Sequence, residues 1–106
     1  MAAEERMLGD VMKDLYDKKK SGALYVSVVE TSEDLIRIYF EKGEIYHLRY
    51  GTAIGNDCLD ILEFYELYSA TFFEGITAPD ASAKGLPSTR DIVSRIGGLT
   101  KKVKVR

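Results

Sequence analysis

Apolar residues over 23–30, 35–41 and 44–50, with Ile36, Ile38 and Phe40 alternating onto one face of the second run, predict three strands. The first, ALYVSVVE, is rich in β-branched and aromatic types. The polar run Thr31-Ser32-Glu33-Asp34 reads as a turn before the second. Lys42-Gly43 then predicts a tight hairpin, with Gly43 at positive φ, into the third. If Leu24, Val26, Val28, Ile36, Ile38 and Phe40 face a core, the opposite face carries Tyr25, Val29, Leu35 and Tyr39. That second face is greasier than a fully solvated sheet surface, so a further segment or another molecule is expected to cover it.

Helical spacing governs the rest. Within residues 3–20, Leu8, Val11, Met12 and Leu15 recur on one side. Acids gather early and three lysines late, which suits the helix dipole, and Ser21-Gly22 supplies a stop. After the glycine-bracketed link at residues 51–55, Cys58, Ile61, Leu62 and Tyr65 form a second apolar face, broadened by Leu59 and Phe64. Residues 68–74 return to strand character, with Ala70 and Phe72 opposite Thr71 and Phe73. Residues 75–87 are small, polar and proline-bearing and read as a loop. Ser88 opens a third helix, with Asp91 completing a variant capping box and Ile92, Val93 and Ile96 on its apolar side.

The expected fold is therefore α+β, an antiparallel sheet of about four strands flanked by N-terminal, central and C-terminal helices. Residues 1–97 form the single domain and 98–106 a basic tail. Val103 and Val105 alternate with basic residues there and admit a strand, but the reading adopted is an unstructured end. Gly22, Gly43, Gly51 and Gly55 are the expected structural turns.

Charge narrows the possible roles. The net charge is −2, yet residues 1–97 alone are near −6 while the tail is purely basic. An acidic body repels phosphate backbones, so no nucleic-acid partner is expected. No apolar run reaches the roughly 20 residues of a membrane helix, and none is expected to insert. The acidic, polar N-terminus is no secretory signal, and the reading is a cytoplasmic protein.

Candidate chemistry is sparse. Cys58 is the only cysteine, which excludes an intrachain disulfide, and on an apolar helix face it reads as a small buried hydrophobe. His47, the only histidine, shares a strand face with Ile45 and Arg49 and has no evident carboxylate partner in sequence. The link GTAIGND lacks both the Lys-Ser/Thr of a P-loop and GxGxxG spacing, and Asp57 and Asp60 occupy the helix end that an anion would need. Asp57, Asp60 and Glu63 make an acidic stripe, either solvated or facing a cation or basic surface. No catalytic residue, metal or cofactor is expected. Tyrosine suits protein interfaces, and Tyr25, Val29, Leu35 and Tyr39 are the candidate interface.

With these residues in place, SGALYVSV followed by LIRIYFEKGEIYHLRYGTAIGNDCLDILEFYELYSATFFE resembles the PATAN domain of bacterial signalling proteins, also called DUF4388. Gly22, Leu24, Val26, Phe40, Gly43, Ile45, Gly55 and Leu59 stand at matching places, and Phe72 and Phe73 fall near its final aromatic pattern. Leu48 and Cys58 stand where that family usually has alanine. The resemblance, over about residues 8–96, implies a non-enzymatic α+β module of signal transduction that makes protein–protein contacts, with a homodimer as one form of partner. It brings no catalytic residues. The alternative is a small-ligand sensor with a pocket between the sheet and the central helix.

Overall fold

The structure, a computed structural model, describes residues 4–29, 31–78, 86–99 and 101–105, without the side chains of residues 31–34. The described residues form an α+β fold, with three helices and one seven-stranded sheet in the order β1-β7-β6-β2-β3-β4-β5. The centre of the sheet is the part that alternation predicts. It consists of β2 (Gly22–Val28), β3 (Thr31–Glu41), β4 (Glu44–Tyr50) and β6 (Leu67–Glu74), all antiparallel to their neighbours in this group. Three shorter strands enlarge it beyond the four expected: β1 (Glu4–Met7), β5 (Ala53–Ile54) and β7 (Lys102–Val105).

The tail is the largest correction. Lys102–Val105 is no loose end: β7 lies between β1, to which it is antiparallel, and β6, to which it is parallel. Val103 is 1% exposed, so the alternation expresses a buried face opposite a solvated lysine face. β1 is the second correction. The helix starts at Leu8 rather than residue 3, because Glu4–Met7 pair with Lys102–Val105 across the sheet edge. Third, the backbone of residues 31–34 belongs to β3 instead of forming a turn.

The turns follow local chemistry. Glu41 and Glu44 pair across Lys42-Gly43, and both turn residues have positive φ, +51° and +85°. That is the signature of the type I′ hairpin, whose twist matches the strands it joins. α1 (Leu8–Asp17) is capped at Lys18, and Lys19, not a glycine, takes the left-handed position after it at φ +53°. Gly22 thus does no helix-stopping. It begins β2 where a Cβ would strike the Phe73 carbonyl at 2.3 Å. Gly55 enters α2 (Asn56–Phe64) with φ +62° and ψ −128°, a combination open essentially to glycine. Gly51, at φ +58°, turns β4 into β5.

All three helices lie on one face of the sheet. Leu8, Val11, Met12 and Leu15 of α1, Cys58, Leu59 and Leu62 of α2, and Ile92 and Ile96 of α3 (Thr89–Gly97) share one core with Leu24, Val26, Ile36, Ile38, Phe40 and Leu48. Ser88 caps α3 by accepting from the Asp91 amide at 3.2 Å. Buried Thr89 anchors the same end to the sheet, its Oγ1 accepting from the Ile45 amide at 2.8 Å.

Candidate functional site

Because the helices cover one face, the pleat fixes what the other presents. Strand register arranges that face in rows. One runs Phe73, Ala23, Tyr39, His47; the next Thr71, Tyr25, Arg37, Arg49, Ile54; a third Lys104, Ser69, Ser27, Leu35. The rings of Tyr25 and Phe73 lie 5.1 Å apart, and the Arg37 guanidinium sits 5.6 Å above the Tyr25 ring. The Ser27 and Ser69 hydroxyls meet at 2.6 Å, and Ser27 Oγ also accepts from the Ser69 amide.

The four candidate interface residues do not share one environment. Tyr25 and Leu35 are half-buried on the outward face, and Val29 is 54% exposed at the end of β2. Tyr39 is only 3% exposed, packed by the rings of Tyr46 and His47 at 6.3 and 5.7 Å. A register shift between Tyr39 and Phe40 creates that corner. The chain leaving β6 closes on it, the Ala78 amide donating to the Tyr46 hydroxyl at 3.0 Å. Burial pushes the Tyr39 phenol above its usual pKa, with Tyr25 adding to the effect and Arg37 and Arg49 offsetting part of it. Tyr39 therefore supports the face from beneath and offers a partner little surface.

His47 is 2% exposed and neither ring nitrogen has a hydrogen-bond partner. A general base must reach the proton it takes, and this ring is closed off without a carboxylate to orient it. Cys58 is fully buried on α2, its Sγ donating to the Ala53 carbonyl at 3.3 Å. Burial first, then Asp57, pushes the thiol up to about 11, against a smaller lowering by the Tyr50 amide. Among the described residues no group of His, Cys, Asp and Glu could hold a metal ion.

The acidic stripe of α2 finds an internal partner. Arg95 of α3 donates to Asp60 Oδ1 at 3.1 Å and to the Glu63 carboxylate. Glu63, then Asp60, holds the Arg95 guanidinium above its usual pKa, and the fork ties two helices together. Where the alternative reading places a pocket, between the sheet and α2, Cys58, Leu59 and Leu62 have no exposed area.

One cluster escapes the periodicity altogether. α2 stops at Phe64, which is 78% exposed, and Tyr65 caps it at 40% exposure. The spacing put both on an apolar helix face, but the helix ends before it can turn them inward. The following turn brings Tyr68, 46% exposed, near Val29, whose amide donates to the Glu66 carbonyl at 2.8 Å. Lys104 Nζ lies 5.0 Å above the Tyr68 ring. Four large apolar side chains thus stand in solvent at one end of the sheet. The useful signal in sequence is the aromatic density of FYELY, more than any spacing.

No helix of the described residues is long and apolar enough to cross a membrane. Comparison of the chain with protein-family models, with curated proteins and with solved structures finds no match in any of the three.

Proposed function

We propose that the chain is a non-enzymatic interaction module of cytoplasmic signalling, akin to the PATAN domain it resembles, and that it docks a protein partner at the aromatic end of its open sheet. One observation carries this reading: Phe64, Tyr65 and Tyr68, 78%, 40% and 46% exposed, all lie within two residues of Glu66, whose carbonyl accepts from the amide of 54% exposed Val29. Leaving four such side chains in water costs the free domain stabilisation that a partner would recover, about 2 kcal/mol for Phe64 alone. Lys101 Nζ on the Tyr65 carbonyl and Lys104 Nζ over the Tyr68 ring give these apolar groups a polar margin, the layout of a protein interface. The Tyr25–Phe73 pair extends the surface along the outward face.

A second copy of the chain is the first partner to test. Sedimentation equilibrium from micromolar to millimolar protein should show association that weakens at least tenfold in Phe64→Ser and in Tyr68→Ser, both folded by circular dichroism. Proximity crosslinking in the native host, read at Tyr65 and Tyr68, covers a partner of different sequence. A chain that stays monomeric and whose crosslinks in the host map to the helical layer instead would overturn the proposal.

A further inference from the structure

The helical layer contains a groove that owes nothing to the sheet face. α1 and α3 run antiparallel, as their two ends show. At one end an ideal Cβ on Gly9 would lie 2.5 Å from Gly97 Cα, so the two backbones touch. At the other end both helices reach the β3–β4 hairpin: the Tyr16 carbonyl abuts Gly43, and Thr89 Oγ1 holds the Ile45 amide. Between these ends lies a groove of about 470 Å³, within the range of small-molecule sites. Asp10, Lys13, Tyr16 and Asp17 line one wall, and Arg90, Val93 and Ser94 the other.

The charges along this groove are unequally engaged. Lys13 pairs with Asp17 at 3.1 Å, both on the α1 wall. Among the described residues, Asp10 and Arg90 make no ion pair. Asp10 is one residue from the Gly9 contact and Arg90 seven from Gly97. At the helical rise of about 1.5 Å per residue they stand roughly 9 Å apart along the groove. Val93 supplies apolar surface between them.

We propose that this groove binds a short zwitterion of dipeptide size, its carboxylate on the Arg90 guanidinium and its ammonium on the Asp10 carboxylate. Arginine suits the first role because its planar fork matches a carboxylate. The separation of the two backbone positions favours a ligand longer than a free α-amino acid. The site lies on the helical layer, and its occupation requires no partner on the sheet.

Nuclear magnetic resonance titration of the nitrogen-15-labelled chain with alanyl-leucine tests the assignment. Saturable shifts are expected at the amides of Asp10, Val93, Ser94 and Gly97. N-acetylated and C-amidated alanyl-leucine, and free leucine, should each bind at least tenfold more weakly. Arg90→Gln and Asp10→Asn should each lose at least tenfold in affinity, whereas Arg95→Gln, outside the groove, should keep it. The charge-exchanged double variant Asp10→Arg with Arg90→Asp should recover binding with the dipeptide reversed. No saturable shift up to the solubility limit, capped dipeptides binding as tightly as the free one, or indifference to both single variants would overturn the proposal.

Discussion

Gly9 and Gly97 make a one-sided contact. A Cβ on Gly9 would lie 2.5 Å from Gly97 Cα, while a Cβ on Gly97 would meet nothing within 4 Å. Gly9 therefore sets how closely α1 and α3 approach, and Gly97 only supplies the surface that is approached. Alanine is the better helix former by about 1 kcal/mol. Gly9→Ala should nonetheless destabilise by about 1–3 kcal/mol, because helix backbones must separate. Gly97→Ala should be neutral or gain up to about 1 kcal/mol. Urea unfolding of the two variants checks the asymmetry, and equal losses would refute it.

Thr89 should matter through its hydroxyl more than its bulk. Its Oγ1 accepts from the Ile45 amide, and the residue is 3% exposed. Thr89→Val keeps the shape and strands a buried N–H, a loss of about 1–3 kcal/mol. Thr89→Ser keeps the acceptor and should lose less. The order of their urea midpoints is the readout.

His47 points to a substitution that stabilises. Two ring nitrogens are buried without partners, a cost that an apolar side chain does not carry. His47→Leu should raise the unfolding free energy by about 1 kcal/mol. A loss of similar size would mean that the imidazole is hydrogen-bonded in solution.

Cys58 predicts an alkaline limit. Its folded pKa of about 11 lies above the ordinary value of 9.0, so the native state holds the proton more tightly than the unfolded chain. The contribution is fully present below the unfolded pKa and lost as pH rises through the folded one. Stability should accordingly fall between about pH 9 and 11, by on the order of 2 kcal/mol. Cys58→Ala should flatten that portion of the profile, measured by chemical unfolding across the same range.

Removal of residues 99–106 tests the tail. β7 contributes buried Val103 and all the sheet pairing of β1. The truncated chain should lose more than about 3 kcal/mol, read as a collapsed thermal transition. An unchanged transition would return this segment to the status of an appendage.

How legible each part was in sequence depended on how far away its cause lies. The β2–β3–β4 meander was readable because alternation sets the face and Lys42-Gly43 sets the register, both within a few residues. β1 and β7 were not, because β1 becomes a strand only beside β7, some 98 positions away, and β7 only between β1 and β6. Tyr39 was placed on the correct face, yet no pattern along β3 announces that Tyr46, His47 and the chain after β6 close over it. Phe64 fits a helical stripe on paper, and the end of α2 at that residue leaves it outside. The groove between α1 and α3 depends on two glycines meeting across the fold, which spacing within either helix does not encode.

The pairing of Glu4 with Val105 has an architectural consequence. Cross-strand neighbours lie about 5 Å apart, so the described chain enters and leaves the domain at almost the same point. Such a module can be spliced into a surface loop of a host protein without stretching it. Its old ends can equally be bridged by a few residues and new ones opened elsewhere. A force applied across residues 4 and 105 would unzip this one edge pair by pair, while the central strands at first bore no load.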